Sequence, residues 1–195
     1  MAAPAIPASR PVSVRLLGLF LVGAAVALAL GVYGGVHDPT QEQPYTLFFT
    51  ATINLKVWFA TVAVALAGLQ LLLAARLYGK IRVPKRAPRW LGDAHRLTGT
   101  ILFLFTLPVA YHCLWALGFK ATAMDGAGST RVLVHSLLGC FFFGVFSVKV
   151  LGVRSEGLPG WLLPVVGGLA FAGLVGVWLT SSLWFFTSRP GGPLF

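Results

Sequence analysis

The chain has 195 residues, of which 57% are hydrophobic and only 10% charged, with a mean hydropathy of +0.83. An ordinary soluble domain is about 25% charged, so this composition excludes water as the main solvent. The formal net charge of +10 comes from Lys and Arg clustered between apolar runs rather than spread over a polar face, which excludes nucleic acid as a partner.

Five apolar stretches follow one another: Leu16 to Val36, Leu55 to Leu77, Leu97 to Leu117, Val132 to Leu151 and Trp161 to Phe186. Each is close to the roughly 20 residues needed to cross a bilayer as a helix. Strands standing alone in lipid would leave backbone groups unpaired, so the expected fold class is all-α, an integral membrane bundle of five transmembrane helices. The first run follows Arg10 and Arg15 but is longer than the apolar core of a signal peptide, and is read as a span. The expected organisation is a cytoplasmic tail over residues 1–13, a single five-helix membrane domain over 14–187 and an extracytoplasmic tail over 188–195.

Orientation is read from Lys and Arg. With the N-terminus in the cytoplasm, 11 of the 15 basic residues fall inside and only Lys56, Lys120, Arg131 and Arg189 fall outside. The positive-inside rule then places the C-terminus outside and the protein in the cell membrane, crossing it several times. The basic link from Tyr78 to Ala94 is expected to lie against anionic headgroups.

Gly23, Ala27, Gly31 and Gly35 recur every four residues along the first helix, and Gly168, Ala172 and Gly176 along the fifth, so both present smooth stripes for close packing. Pro108 falls inside the third span, where it should bend the helix and free a carbonyl. Cys113 and Cys140 fall inside apolar runs and read as small buried hydrophobes.

The chemistry-bearing residues are chiefly histidines. His112 lies near the outer end of the third helix and His135 near the outer start of the fourth, roughly 4 to 8 Å below the interface on antiparallel neighbours. Matched depth is what axial ligation of a haem b by two imidazoles needs. Gly139, one turn beyond His135, would leave room for a flat macrocycle, and Arg131, Lys120 and Lys56 would meet its propionates. The competing reading is that the two histidines hydrogen-bond across a helix hairpin in a non-redox scaffold or accessory subunit of a larger membrane complex.

His95 stands 17 positions before His112, about 25 Å along the axis, and cannot share that haem. An inner haem or quinone site would draw on His95, Arg96 and Lys149. Lys149 is read first as a snorkelling or propionate-binding cation. Asp93 is expected to cap the third helix, and His37 with Asp38 is expected in a turn before Pro39.

Three resemblances accompany these residues. The segments Leu107-Pro108-Val109-Ala110-Tyr111-His112-Cys113-Leu114-Trp115, Val134-His135-Ser136-Leu137-Leu138-Gly139-Cys140 and Leu158-Pro159-Gly160-Trp161 resemble a family of small actinobacterial multi-pass membrane proteins, which implies the fold without an activity. His95-Arg96-Leu97-Thr98-Gly99 resembles the His-Arg-x-Thr-Gly motif in the membrane anchor of succinate dehydrogenases, and that implies a quinone pocket around His95 and Arg96. More distantly, the histidine-bearing helices resemble cytochrome b561-like and ferric-reductase-like haem b carriers. Those carry two histidines on each of two helices, whereas this chain offers three, with Lys149 in the fourth position. Together these readings lead to an expected b-type cytochrome-like electron carrier with His112 and His135 as iron ligands, linking quinone to an extracytoplasmic redox protein. No catalysed reaction is assigned.

Overall fold

The computed structural model describes residues 11–42, 45–82, 88–119 and 127–188, with the side chains of 127–129 left aside. Arg10, Lys85, Arg86, Lys120 and Arg189 lie outside the described residues. Five rods run Val12–Val36 (α1), Thr52–Leu77 (α2), Leu91–Leu117 (α3), Ala127–Val153 (α4) and Leu162–Ser188 (α5). All five are long and apolar enough to cross a membrane. Side chains such as Leu28, Val32, Leu72 and Leu97 stay exposed on the outside of the bundle, as a lipid solvent requires.

The first four helices start earlier than their apolar runs because polar residues can occupy a first turn, while α5 starts one residue later, at Leu162. The third rod begins at Leu91, six residues before the apolar stretch, behind a Trp90 N-cap that makes no side-chain cap bond. Asp93 therefore does not cap this helix. It sits in the first turn, where its charge complements the helix dipole, and pairs with Arg96 at 2.7 Å.

Two rods change register near the same end of the bundle. α3 turns π-helical over His112–Leu117, four residues after Pro108, and α5 does so over Leu179–Leu183. A π-turn adds a residue to one turn and rotates all that follow, a device frequent at functional sites.

Neighbouring helices pack in the order α1–α4–α5–α2–α3, and α1 touches the π-helical end of α3 to close the ring. α3 and α4 thus face each other across the middle, where Phe103 stacks on Phe146 with centroids 4.6 Å apart and planes within 2°. A core of Ala63, Ala67, Leu102, Phe142, Ala170 and Leu174 fills the centre. In lipid such contacts hold by close packing rather than by escape from water. The α1 stripe does this against α4: a Cβ built on Gly144 would lie 2.6 Å from the Gly23 carbonyl oxygen and 3.0 Å from the Ala27 Cβ. Gly35 meets nothing within 4 Å, and on α5 the tight contacts are Gly173 with Phe141 and Gly176 with Leu138, while Gly168 stays open.

The α1–α2 loop folds over the π-helical end of α3. Its Thr40 and Gln41 amides donate to the Trp115 and Ala116 carbonyls at 3.3 and 3.0 Å, two of the groups a helix end leaves without internal partners. Gly118 follows at φ 61°, with Pro39 packed so closely that a Cβ there would sit 2.6 Å from the proline ring.

Candidate functional site

Between α3 and α4, at the end of the bundle that carries the α3–α4 loop, lies a cavity of about 480 Å³. Its wall extends along α4 from Arg131 to Phe143 and along α3 from Thr106 to Leu117, roughly 16 to 18 Å of helix on each side, with Gly118 and Phe119 beyond the end of α3. Most of that wall is apolar. The polar groups that reach it are few, and Lys56, Cys113, Arg131, His135 and Ser136 are the chemically versatile ones. Volume, apolar lining and sparse polar groups match the ordinary properties of a small-molecule or cofactor site.

His135 is held in one orientation. Its Nδ1 lies 3.2 Å from the Val177 carbonyl and 3.1 Å from the Thr180 hydroxyl. The Thr180 hydroxyl spends its own proton on the Gly176 carbonyl at 2.8 Å, so toward His135 it can only accept. Both neighbours of Nδ1 are acceptors, which assigns the proton of the neutral ring to Nδ1 and the lone pair to Nε2. The ring lines the cavity.

Arg131, one turn before, is fixed by a 2.7 Å bond from Nη1 to the Thr180 carbonyl and by its guanidinium lying 3.9 Å over the Trp184 ring. A guanidinium has five N–H donors, so further donors are left over for a ligand at the cavity. Lys56 enters from α2 one turn past its start. Gly139 lines the wall with nothing within 4 Å of a Cβ placed on it.

His112 is placed differently from His135. The ring is fully buried, lies outside the cavity wall, and sets Nδ1 2.8 Å from the Pro108 carbonyl and Nε2 3.1 Å from the Tyr45 carbonyl. A neutral ring donates to only one of them, yet both nitrogens are turned toward backbone oxygens and away from the cavity. Its geometry is that of a tie between α3 and the α1–α2 loop, with the Tyr45 ring edge-on at 4.6 Å.

The next residue is the one that sequence reasoning passed over. Cys113, about 100° further round the helix, lines the cavity and interacts with both His135 and Lys56. A cysteine in an apolar run looks like a small hydrophobe, and only the meeting of three helices reveals its neighbours. Cys140 lines the same cavity deeper in, facing Gly31, whose Cβ position would be 3.9 Å from its Sγ.

The residues at the other end form a separate group. His95 and Lys149 lie within electrostatic reach of each other, and His95 Nδ1 is buried without a hydrogen-bond partner among the described residues. Arg96 points outward into its exposed pair with Asp93. Thr98 and the His95 carbonyl hold the buried Gln70 side chain, whose Nε2 donates to both, the second at 2.6 Å. Gly99 leaves space for that amide, since a Cβ there would be 3.3 Å from Oε1. His37 is sandwiched between Tyr33 and Trp115, each 4.9 Å away, and makes a 3.1 Å contact with the Trp115 carbonyl. Among the described residues no group of three or more His, Cys, Asp or Glu gathers to hold a metal ion.

A family of unknown function, DUF6529, matches residues 16–190 and so spans all five helices and the cavity. The chain belongs to this family. No curated protein and no solved structure matches it. Membership in DUF6529 leaves the activity to be read from the site itself.

Proposed function

We propose that this protein is a membrane electron carrier that binds one haem b in the cavity between α3 and α4, with His135 as an axial ligand. The observation that carries this reading is the fixed imidazole: Nδ1–H is held by the Val177 carbonyl and the Thr180 hydroxyl, and the ring so fixed lines the cavity. Iron-binding histidines are oriented in this way by an acceptor behind the ring. Arg131 and Lys56 supply the cations for two propionates, and the open face at Gly139 admits a flat ring. A bound haem would supply reversible one-electron transfer, while the protein sets its orientation and polarity.

In the orientation favoured by the positive-inside rule the haem lies near the outer face of the cell membrane, where it would serve an extracytoplasmic redox protein. The inner group of His95, Arg96 and Lys149, of which His95 and Arg96 belong to the run that resembles a quinone-site motif, would be the entry point for electrons from quinone. The resemblance to cytochrome b561-like carriers supports the same class of function, with a different ligand set.

The test is a reduced-minus-oxidised absorbance spectrum of protein purified in mild detergent from cells supplied with haem precursor. One b-type haem per chain is expected, lost in His135→Leu and retained in His112→Leu. A folded, colourless protein that co-purifies with a larger complex would overturn the reading in favour of a scaffold or accessory subunit.

A further inference from the structure

We infer that the segment His37–Glu42 is a hinged strap that gates the cavity, closed in this structure by Gln41 and opened by release of the strap from the end of α3. This rests on the cavity being the ligand site proposed above, and adds how a ligand reaches it.

The argument starts from what closes the cavity. Most of the wall is helix, and helices packed as closely as Gly23 on Gly144 or Leu138 on Gly176 do not part without losing the contacts that hold the bundle. At the end that carries the α3–α4 loop the wall passes to Gln41 of the strap, beside Lys56, Phe119 and Arg131. Asp38, Thr40, Gln41 and Glu42 are exposed. So little apolar surface holds these residues that they can open without unfolding the bundle.

What does hold the strap is a set of contacts centred on one turn of backbone. The Trp115 carbonyl accepts from the Thr40 amide at 3.3 Å and from His37 Nε2 at 3.1 Å, and the Ala116 carbonyl accepts from the Gln41 amide at 3.0 Å. The His37 ring lies between those of Tyr33 and Trp115, with planes 12° and 29° from theirs. Except for Tyr33, every partner belongs to the end of α3, so these fastenings are made and lost together.

Gln41 supplies the opposing force. Its φ of 58° is in the left-handed region, which a glutamine occupies at a cost and keeps only while its surroundings enforce it. Release lets Gln41 return to an ordinary backbone conformation and withdraws its side chain from the wall. The Phe119 amide, donating to the Gly34 carbonyl at 3.1 Å, keeps the root of the strap in place as a hinge.

The native cysteines report the opening, since Cys113 and Cys140 line the cavity. Detergent-purified protein without haem is treated with the charged reagent sulfonatoethyl methanethiosulfonate, and modification of the two thiols is followed by mass spectrometry in wild type, His37→Ala, Trp115→Leu and Arg15→Ala. His37→Ala removes one hydrogen bond and both ring contacts and is expected to speed modification about tenfold. Trp115→Leu keeps the carbonyl and loses one stacking partner, so it should speed modification less. Arg15→Ala breaks a tie at the far end of the bundle and should leave the rate unchanged. Equal rates in wild type and both strap variants would overturn the gate, as would an equal acceleration in Arg15→Ala, which would mean general loosening. The readout needs no haem, so a colourless protein with the expected rates keeps the gate and removes the haem, while a haem-binding protein with equal rates does the reverse. Should a strap variant not fold, amide hydrogen exchange of the wild type decides: joint exchange of the Thr40 and Gln41 amides ahead of those within α3 supports the gate, and protection equal to the helix overturns it.

Discussion

At the scale of single residues, what separates His135 from His112 is the company of Nδ1 and Nε2 rather than depth in the membrane. His135 uses one nitrogen to fix its ring in the cavity wall, whereas His112 has both against carbonyls. The Thr180 hydroxyl is part of that fixation, and Thr180→Val removes it while keeping shape and the Val177 acceptor. We expect haem affinity to fall about tenfold, the lower end of the effect of losing a partner behind a metal-bound histidine. Hemin titration of the two detergent-purified proteins reads the difference; equal affinities would mean that the Val177 carbonyl alone orients the ring. His112→Leu should instead lower thermal stability with no change in haem content, because it unties the α1–α2 loop from α3.

At the scale of elements, the close approach of α1 and α4 depends on two glycines without side chains. A Cβ on Gly144 would press against the Gly23 carbonyl, which is backbone and cannot rotate away. Gly144→Leu is therefore expected to force the helices apart at a cost of about 1 to 3 kcal/mol, seen as a lower unfolding temperature in detergent. Gly168→Leu, at an open position of the α5 stripe, should change little. The five spans were legible in the sequence because lipid imposes long apolar runs, whereas their starts were not, since Leu91, Gly92 and Asp93 look like loop until the helix is seen to begin among them. The α1 stripe was legible in part, as Gly23 and Ala27 meet α4 while Gly35 meets nothing. For the cavity, the rise along a helix gave the depth of His112 and His135, but which way each side chain faces depends on where the neighbouring helices stand. Cys113 continues the stripe of Thr106, Val109 and Ala110 at ordinary helical spacing while His112 falls off it, but an apolar run does not announce which of its stripes faces a cavity.

At the scale of the whole molecule, charge is divided between the two ends of the bundle. Among the described residues, Arg15, Arg76, Lys80, Arg82, Arg89, Arg96, Lys149 and Arg154 lie toward the end where α1 begins, against Lys56 and Arg131 toward the cavity end. Arg15 also ties that basic end together by donating to the Glu156 carbonyl at 2.7 Å, so the α1 start and the α4–α5 loop share one side. On the positive-inside rule we propose that this end faces the cytoplasm and the cavity the outside. Exposed Glu42 and Glu156 mark the two ends, and their cysteine variants can be treated in intact cells with a membrane-impermeant maleimide. Glu42→Cys should label and Glu156→Cys should label only after the cells are opened, with unsubstituted protein giving the background from Cys113 and Cys140. The reverse pattern would turn the cavity inward, and the haem we propose would then exchange electrons with a cytoplasmic donor or acceptor instead of an external one.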